Sequence, residues 1–133
     1  MIRLLGLMFL SAAILGCAAP PQSPACGITD VLTVEPTSAT ADHAASAPGN
    51  QAQFQAIVAP HATAPGCPVP QYVLLVDATW TLSDPLDAQI SSAANSTNGL
   101  ATCNNAVSNP ITVTAMYTAS GVTQTATGTL TCK

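Results

Sequence analysis

The feature that most constrains the fold is an alternation of apolar and polar residues with a period of two, which is clearest near the C-terminus. There Val122, Ala126, Leu130 and Cys132 share one face of an extended chain. The opposite face carries Thr123, Thr125, Thr127, Thr129 and Thr131. Successive side chains of a strand point to opposite sides, so this pattern predicts a strand with an apolar inner face and a hydroxyl-rich outer face. Threonine suits this role because its branched Cβ favours extended backbone.

The same alternation occurs in three earlier segments. Their apolar faces consist of Ala52, Phe54, Ala56 and Val58; of Tyr72, Leu74, Val76, Ala78, Trp80 and Leu82; and of Ile111, Val113, Ala115 and Tyr117. In the second of these segments Val73 and Leu75 are apolar as well. We therefore expect that segment to be central in its sheet or partly covered on both faces. Trp80 is expected to point inward and fill the space between two sheets.

Turn-forming residues separate the predicted strands. They are Pro36 after a first strand at 31–34, Pro48-Gly49-Asn50, Asp84-Pro85, Asn98-Gly99 and Ser120-Gly121. Ser120-Gly121 is typical of a tight hairpin turn, and the proline-rich stretch 59–70 is predicted to be a loop. About seven short strands at this spacing predict an all-β fold, an antiparallel β-sandwich.

The N-terminus has the three parts of a secretory signal peptide. Arg3 provides a positive charge, Leu4 to Leu15 form a nearly continuous apolar run, and small residues follow. The run is shorter than the roughly 20 residues that cross a bilayer as a permanent helix, so residues 1–16 are predicted to be a cleaved signal. Residues 17–27 are rich in proline and are predicted to form an extended tether, which leaves 28–133 as one domain.

The residues at the predicted cleavage site carry a resemblance. Ile14-Leu15-Gly16-Cys17 resembles the bacterial lipobox. The resemblance implies that Cys17 receives a thioether-linked diacylglycerol and becomes the mature N-terminus, so that acyl chains anchor the protein in a membrane. Ala18 is not the aspartate associated with inner-membrane retention, which favours the outer membrane or the cell surface. The alternative is an ordinary signal peptide cut nearby, with Cys17 lost or left as an odd thiol.

Cysteine usage agrees with export. When Cys17 is set aside, the remaining cysteines are Cys26, Cys67, Cys103 and Cys132. An even number in an exported domain predicts two disulfides, and the residues alone leave all three connectivities open. None of the spacings is that of a zinc site or of a redox C-x-x-C motif, so structural disulfides are expected.

The charge balance restricts the partners of the protein. Once residues 1–16 are removed, Lys133 is the single basic residue. The acidic residues are Asp30, Glu35, Asp42, Asp77, Asp84 and Asp87. Binding to phosphate groups needs clustered lysine or arginine, so nucleic acid is not expected as a partner.

No group of residues has the pattern of a catalytic or metal site. His43 and His61 fall in predicted loops, without a carboxylate or cysteine at ligand spacing, and we expect both to be exposed. Ser83, Asp84 and Asp87 are a candidate calcium site, but calcium takes about six to eight oxygens and a turn at Asp84-Pro85 explains them better. No serine lies in a nucleophile-elbow motif. We therefore expect no catalytic residue, no metal and no cofactor.

Two further patterns have simpler explanations. Asn95-Ser96-Thr97 fits a glycosylation sequon, which is incidental beside a bacterial lipobox. Tyr72, Tyr117 and Trp80 are candidates for an aromatic platform that binds sugar. All three fall on predicted inward faces, so core packing is expected instead.

A series of short motifs resembles a known family. In order, they are Val34-Glu35-Pro36-Thr37-Ser38-Ala39-Thr40, Gln53-Phe54-Gln55-Ala56, Ala78-Thr79-Trp80-Thr81-Leu82-Ser83-Asp84-Pro85, Asn98-Gly99-Leu100-Ala101-Thr102, Ile111-Thr112-Val113-Thr114-Ala115 and Thr125-Ala126-Thr127-Gly128-Thr129-Leu130-Thr131. Over residues 28–132 this order resembles a bacterial immunoglobulin-like domain of group 2. The resemblance implies an immunoglobulin-like antiparallel β-sandwich of about seven strands. It also implies a role in adhesion or other surface interactions.

The immunoglobulin-like connectivity implies a disulfide pairing. The start of the first strand and the loop between the second and third strands share one pole, which places Cys26 near Cys67. The connection after the Leu100 strand and the end of the last strand share the other pole, which places Cys103 near Cys132. The resemblance therefore implies the bridges Cys26–Cys67 and Cys103–Cys132.

Together, these features predict a membrane-anchored lipoprotein of the cell envelope that carries one non-catalytic binding or structural module. Its expected partners are the lipid bilayer, through acylated Cys17, and a protein or glycan that the sequence does not identify. A carbohydrate-binding envelope protein is the first alternative. A small hydrolase or a metal-binding protein is the second. Fold-level resemblance alone does not decide among these functions.

Overall fold

The computed structural model describes residues 25–133, which form ten strands and no helix. The strands are β1 (Ile28–Glu35), β2 (Ser38–Ala41), β3 (Gln51–Gln53), β4 (Gln55–Ala62), β5 (Leu74–Val76), β6 (Thr79–Leu82), β7 (Ala88–Ile90), β8 (Leu100–Cys103), β9 (Ile111–Ala119) and β10 (Val122–Cys132). The predicted signal peptide, Cys17 and most of the predicted tether lie outside the described residues. Within 25–133, no helix meets the length and hydropathy needed to span a bilayer.

The strands form two layers of an immunoglobulin-type sandwich. One layer joins the sheets β1-β4-β5 and β3-β8-β7, because β3 and β4 are a single extended run interrupted only at Phe54. The other layer is the sheet β2-β10-β9-β6. All pairings are antiparallel except that of β2 with β10, which is parallel. The predicted all-β sandwich is confirmed.

The strands outnumber the sequence-based expectation because two predicted strands are interrupted and because β2 and β7 were not predicted. The run around Phe54 breaks where the Phe54 N–H donates to the Gly99 carbonyl oxygen, 2.9 Å away. The long apolar segment changes layer, since β5 pairs with β4 in one sheet and β6 pairs with β9 in the other. Asn98 lies at this crossing and bonds both backbone groups of Ala78 through its side-chain amide.

The prediction that the Trp80 segment is central or covered on both faces is wrong. Its β6 part lies at the edge of its sheet, and Leu74 and Leu75 of β5 are 52% and 65% exposed. The physical reason is the change of layer: β5 is a short edge strand, and of its three residues only Val76 packs against the core. Trp80 itself is buried and points inward, as predicted.

The core lies between the layers and follows the predicted alternation. Its largest fully buried side chains are Phe54, Leu130, Val113, Cys103 and Cys132. The rings of Phe54 and Trp80 lie 6.4 Å apart at an angle of 45°, a favourable tilted arrangement.

Besides Leu74, two side chains predicted to point inward are exposed. Val122 is 63% exposed because it lies at the β9–β10 turn, beyond the opposing layer. Tyr72 is 38% exposed and lies just before β5, where the sandwich is open. Tyr117, the third of the aromatic residues considered for a sugar platform, is partly buried.

One turn and one loop test the predicted connections between the strands. Ser120 and Gly121 have positive φ angles of 50° and 79° and form the predicted hairpin turn between β9 and β10. The predicted loop 59–70 begins too early, because β4 continues to Ala62 opposite Ile28 of β1. Pro60 is tolerated in the strand because β5 pairs with β4 only at positions 56–58.

The sandwich has two ends that serve as reference points. We define the N-terminal end by the Cys26–Cys67 disulfide, the start of β1 and the β9–β10 turn. Gln124 joins these parts, since its side-chain amide donates to the Asp30 carbonyl oxygen and accepts from the Leu32 N–H. We define the C-terminal end by the Cys103–Cys132 disulfide and Lys133.

Candidate functional site

Each end of the sandwich carries one disulfide. Cys26 bonds Cys67 with a Cα–Cα distance of 5.5 Å, and Cys103 bonds Cys132 with a distance of 5.6 Å. This is the pairing that the immunoglobulin-like resemblance implied. Cys103 and Cys132 are buried, whereas Cys26 is exposed. The first bridge therefore holds a surface loop against the point where the chain enters the domain, and the second closes the core.

A polar contact that the sequence analysis missed fixes Trp80. The indole Nε1–H donates to Asn98 Oδ1 at 2.7 Å, and the Ala78 N–H donates to the same oxygen at 3.2 Å. The Asn98 Nδ2 amide donates to the Ala78 carbonyl oxygen at 3.0 Å. A buried indole N–H needs such an acceptor, but nothing in the sequence indicates which turn supplies it. Asn98 therefore has a structural role.

A polar cleft lies between β5 and the turn that precedes β8. It encloses about 270 Å³. Its walls include Gln53, Gln55, Leu75, Asp77, Asn95 and Ser96. The Gln53 amide donates to the carbonyl oxygens of Phe54 and Asn98, at 2.8 Å and 2.6 Å. An amide, a carboxylate and a hydroxyl beside an apolar side chain are groups that can orient a polyhydroxylated ligand.

An exposed apolar segment leads into β5 and includes Leu75 of the cleft wall. We call Tyr72, Val73, Leu74 and Leu75 the β5 patch; they are 38%, 66%, 52% and 65% exposed. The Tyr72 hydroxyl donates to Asp30 Oδ1 at 2.5 Å. This hydrogen bond stabilises the neutral phenol and raises the pKa of Tyr72, and desolvation and the negative charge of Asp30 act in the same direction. The contact holds the start of the patch against β1.

The histidines do not form a site. His43 contacts the Lys133 carbonyl oxygen through Nδ1 at the C-terminal end and is exposed. The prediction of a loop position for His61 is wrong, because it lies in β4 opposite Thr29, although its side chain is exposed as expected. In the part of the chain that the structure describes, no three His, Cys, Asp or Glu side chains lie close enough to hold a metal ion.

The candidate calcium residues have turn-forming roles. Asp84 Oδ1 accepts hydrogen bonds from the N–H groups of Leu86 and Asp87, at 3.1 Å and 3.3 Å. Asp87 Oδ1 accepts from the Asn105 amide at 3.0 Å. Ser83 Oγ accepts from the Thr112 N–H at 2.9 Å. These contacts match the turn that the sequence predicted at Asp84-Pro85.

The remaining motif, Asn95-Ser96-Thr97, forms an exposed turn at the cleft. Asn95 Oδ1 accepts hydrogen bonds from the N–H and the hydroxyl of Thr97, at 2.8 Å and 2.7 Å. No protein-family model matches the sequence, and no curated protein matches it significantly. The function of this chain is therefore inferred from its fold, from the two ends of the sandwich and from the surfaces around β5.

Proposed function

We propose that this protein is a bacterial lipoprotein of the cell envelope, in which acylated Cys17 anchors one immunoglobulin-like module to a membrane. The observation that carries the proposal is the use of the cysteines. The sequence contains five, and the two disulfides use Cys26, Cys67, Cys103 and Cys132. Cys17 is the fifth, and it follows Ile14-Leu15-Gly16, which resembles a lipobox.

The module acts in surface interaction or adhesion, without catalysis. The resemblance of its ordered motifs to group 2 bacterial immunoglobulin-like domains supports this role. The anchored position favoured by Ala18 is the outer membrane or the cell surface.

Metabolic labelling with an alkyne-bearing fatty acid in a bacterial host tests the anchor. The wild-type protein is expected to incorporate the label, and Cys17→Ala is expected to lose it. Ser23→Ala is the matched control, since it alters the same short segment without changing the cysteine, and it should label like the wild type. Equal labelling of Cys17→Ala, or an unlabelled wild type, would contradict the proposal.

Carbohydrate binding at the polar cleft is a second candidate function. It is favoured by the grouping of Gln55, Asp77 and Ser96 around an apolar wall that contains Leu75. Such a site would make the module the glycan-binding part of an anchored protein.

Retention on an immobilised cell-wall polysaccharide tests the second candidate. Gln55→Ala is expected to weaken retention, whereas Gln89→Ala changes an exposed glutamine on β7, outside the cleft, and should leave retention unchanged. Identical elution of both variants and the wild type would exclude the cleft as a glycan site.

A further inference from the structure

All but one of the exposed large apolar side chains of the described sandwich lie away from its C-terminal end. Among residues 25–133, the large apolar side chains with substantial exposure are Ile28, Tyr72, Val73 and Val122 at the N-terminal end, Leu74, Leu75 and Met116 at mid-height, and Leu86 at the C-terminal end. A single exposed apolar side chain is normal for a protein surface, whereas a concentration of them marks a contact surface.

Charged side chains have the opposite distribution. Asp42, Asp84, Asp87 and Lys133 lie at the C-terminal end, while Glu35 and Asp77 lie further along the strands than the N-terminal end. Asp30 is the one carboxylate of the described chain at the N-terminal end, and its Oδ1 already accepts the Tyr72 hydroxyl. Contact with an apolar medium therefore costs less desolvation free energy at the N-terminal end than at the C-terminal end.

The chain enters the domain at this same end. Cys26 is fixed there by its bond to Cys67, two residues before the first strand begins at Ile28. A fully extended chain from Ala18 to Ala25 reaches at most about 30 Å. An anchor at Cys17 therefore keeps the N-terminal end close to the bilayer.

We propose that the N-terminal end of the sandwich rests on the lipid surface, with Ile28, Val73 and Val122 in contact with the interfacial region. This inference depends on the proposed acylation of Cys17. Apolar side chains gain free energy when they leave water for the boundary between headgroups and acyl chains. Tyr72 fits the same location, because an aromatic ring with a polar hydroxyl is favoured at a membrane interface. The C-terminal end then faces away from the anchor.

Photo-crosslinking of the full-length, acylated protein in phosphatidylcholine vesicles tests the proposal. A diazirine amino acid replaces Val73 in one sample and Leu86 in the other; Leu86 is the matched control because it is 83% exposed at the C-terminal end. Lipid adducts are expected to be several-fold more abundant at position 73. A second reporter replaces Val122, on the β9–β10 turn, and is expected to give as many lipid adducts as position 73. It keeps the test decisive if the variant at position 73 folds poorly.

The outcomes separate this inference from the function on which it depends. Acylated protein with equal lipid adducts at positions 73 and 86, or with protein adducts at position 73, overturns the lipid contact alone; protein adducts would assign this end to a second copy or to another protein. A mass spectrum that shows unmodified Cys17 overturns the proposed anchor and this inference together.

Discussion

At the residue scale, Gly99 is the most crowded glycine of the described chain. Its φ angle is +79°, and an added Cβ would collide with the Phe54 carbonyl oxygen and come within 3.0 Å of the Trp80 ring. Gly121 has the same φ angle, but a Cβ there would meet nothing within 4 Å. A comparison of substitutions at these two glycines therefore separates the cost of backbone strain from the cost of steric crowding.

We expect Gly99→Ala to destabilise the domain more than Gly121→Ala. A left-handed alanine costs about 1–2 kcal/mol at either position, and crowding against a close-packed core adds about 1–3 kcal/mol at Gly99 alone. Urea unfolding followed by the fluorescence of Trp80, the single tryptophan of the sequence, measures both variants. Equal losses of the free energy of unfolding would show that Gly99 is not crowded.

Asn98 is the second residue whose identity the structure explains. Asn98→Ala leaves the Trp80 indole N–H and both backbone groups of Ala78 without their partner, and we expect a loss of about 2–4 kcal/mol. Asn105→Ala is the control, because it removes one exposed hydrogen bond to Asp87 and should cost about 1 kcal/mol or less. The same urea titration measures both, and similar losses would refute the structural role of Asn98.

At the scale of elements, the two disulfides close similar lengths of chain but differ in burial. Their sequence separations are 41 and 29, so loop entropy alone gives each bridge about 4 kcal/mol. Cys103 and Cys132 are also core side chains, at 2% and 0% exposure. Replacing Cys103 and Cys132 with smaller residues leaves a cavity in the core. Replacing the exposed Cys26 does not.

We therefore expect Cys103→Ala with Cys132→Ala to lower the melting temperature further than Cys26→Ala with Cys67→Ala. The additional loss should be about 1–2 kcal/mol, from the buried sulfur atoms that the core no longer contains. Differential scanning calorimetry of the two double variants and the wild type measures the difference. A larger loss for the Cys26–Cys67 pair would contradict the assignment of the second bridge to the core.

The elements also show how far the sequence predicts the fold. Period-two alternation identified β9, β10 and the Phe54 run, because a strand between two layers must separate its apolar and polar faces. It did not predict that the Trp80 segment divides, because Leu74 and Leu75 are as apolar as core residues. The Asn98 side chain that bonds Ala78 at the crossing comes from a turn 20 residues later in the chain. The cleft and the β5 patch both arise from that division.

At the scale of the whole molecule, the two ends of the sandwich have different chemistry. The N-terminal end combines the chain entry, the Cys26–Cys67 bridge and half of the exposed large apolar side chains of the described chain. The C-terminal end holds Lys133 and half of the acidic side chains. This polarity is not readable from composition, because it depends on which strand ends meet. It is the arrangement expected of a module that is anchored to a membrane at its N-terminal end and exposes its C-terminal end to the surroundings.

The most direct test of this account is the mass of the N-terminal peptide of the protein extracted from membranes. We expect residues 1–16 to be absent and Cys17 to carry a diacylglycerol thioether, while the other four cysteines appear as Cys26–Cys67 and Cys103–Cys132 in a non-reduced digest. An N-terminal peptide cleaved elsewhere, or one that retains an unmodified Cys17, would contradict the central claim.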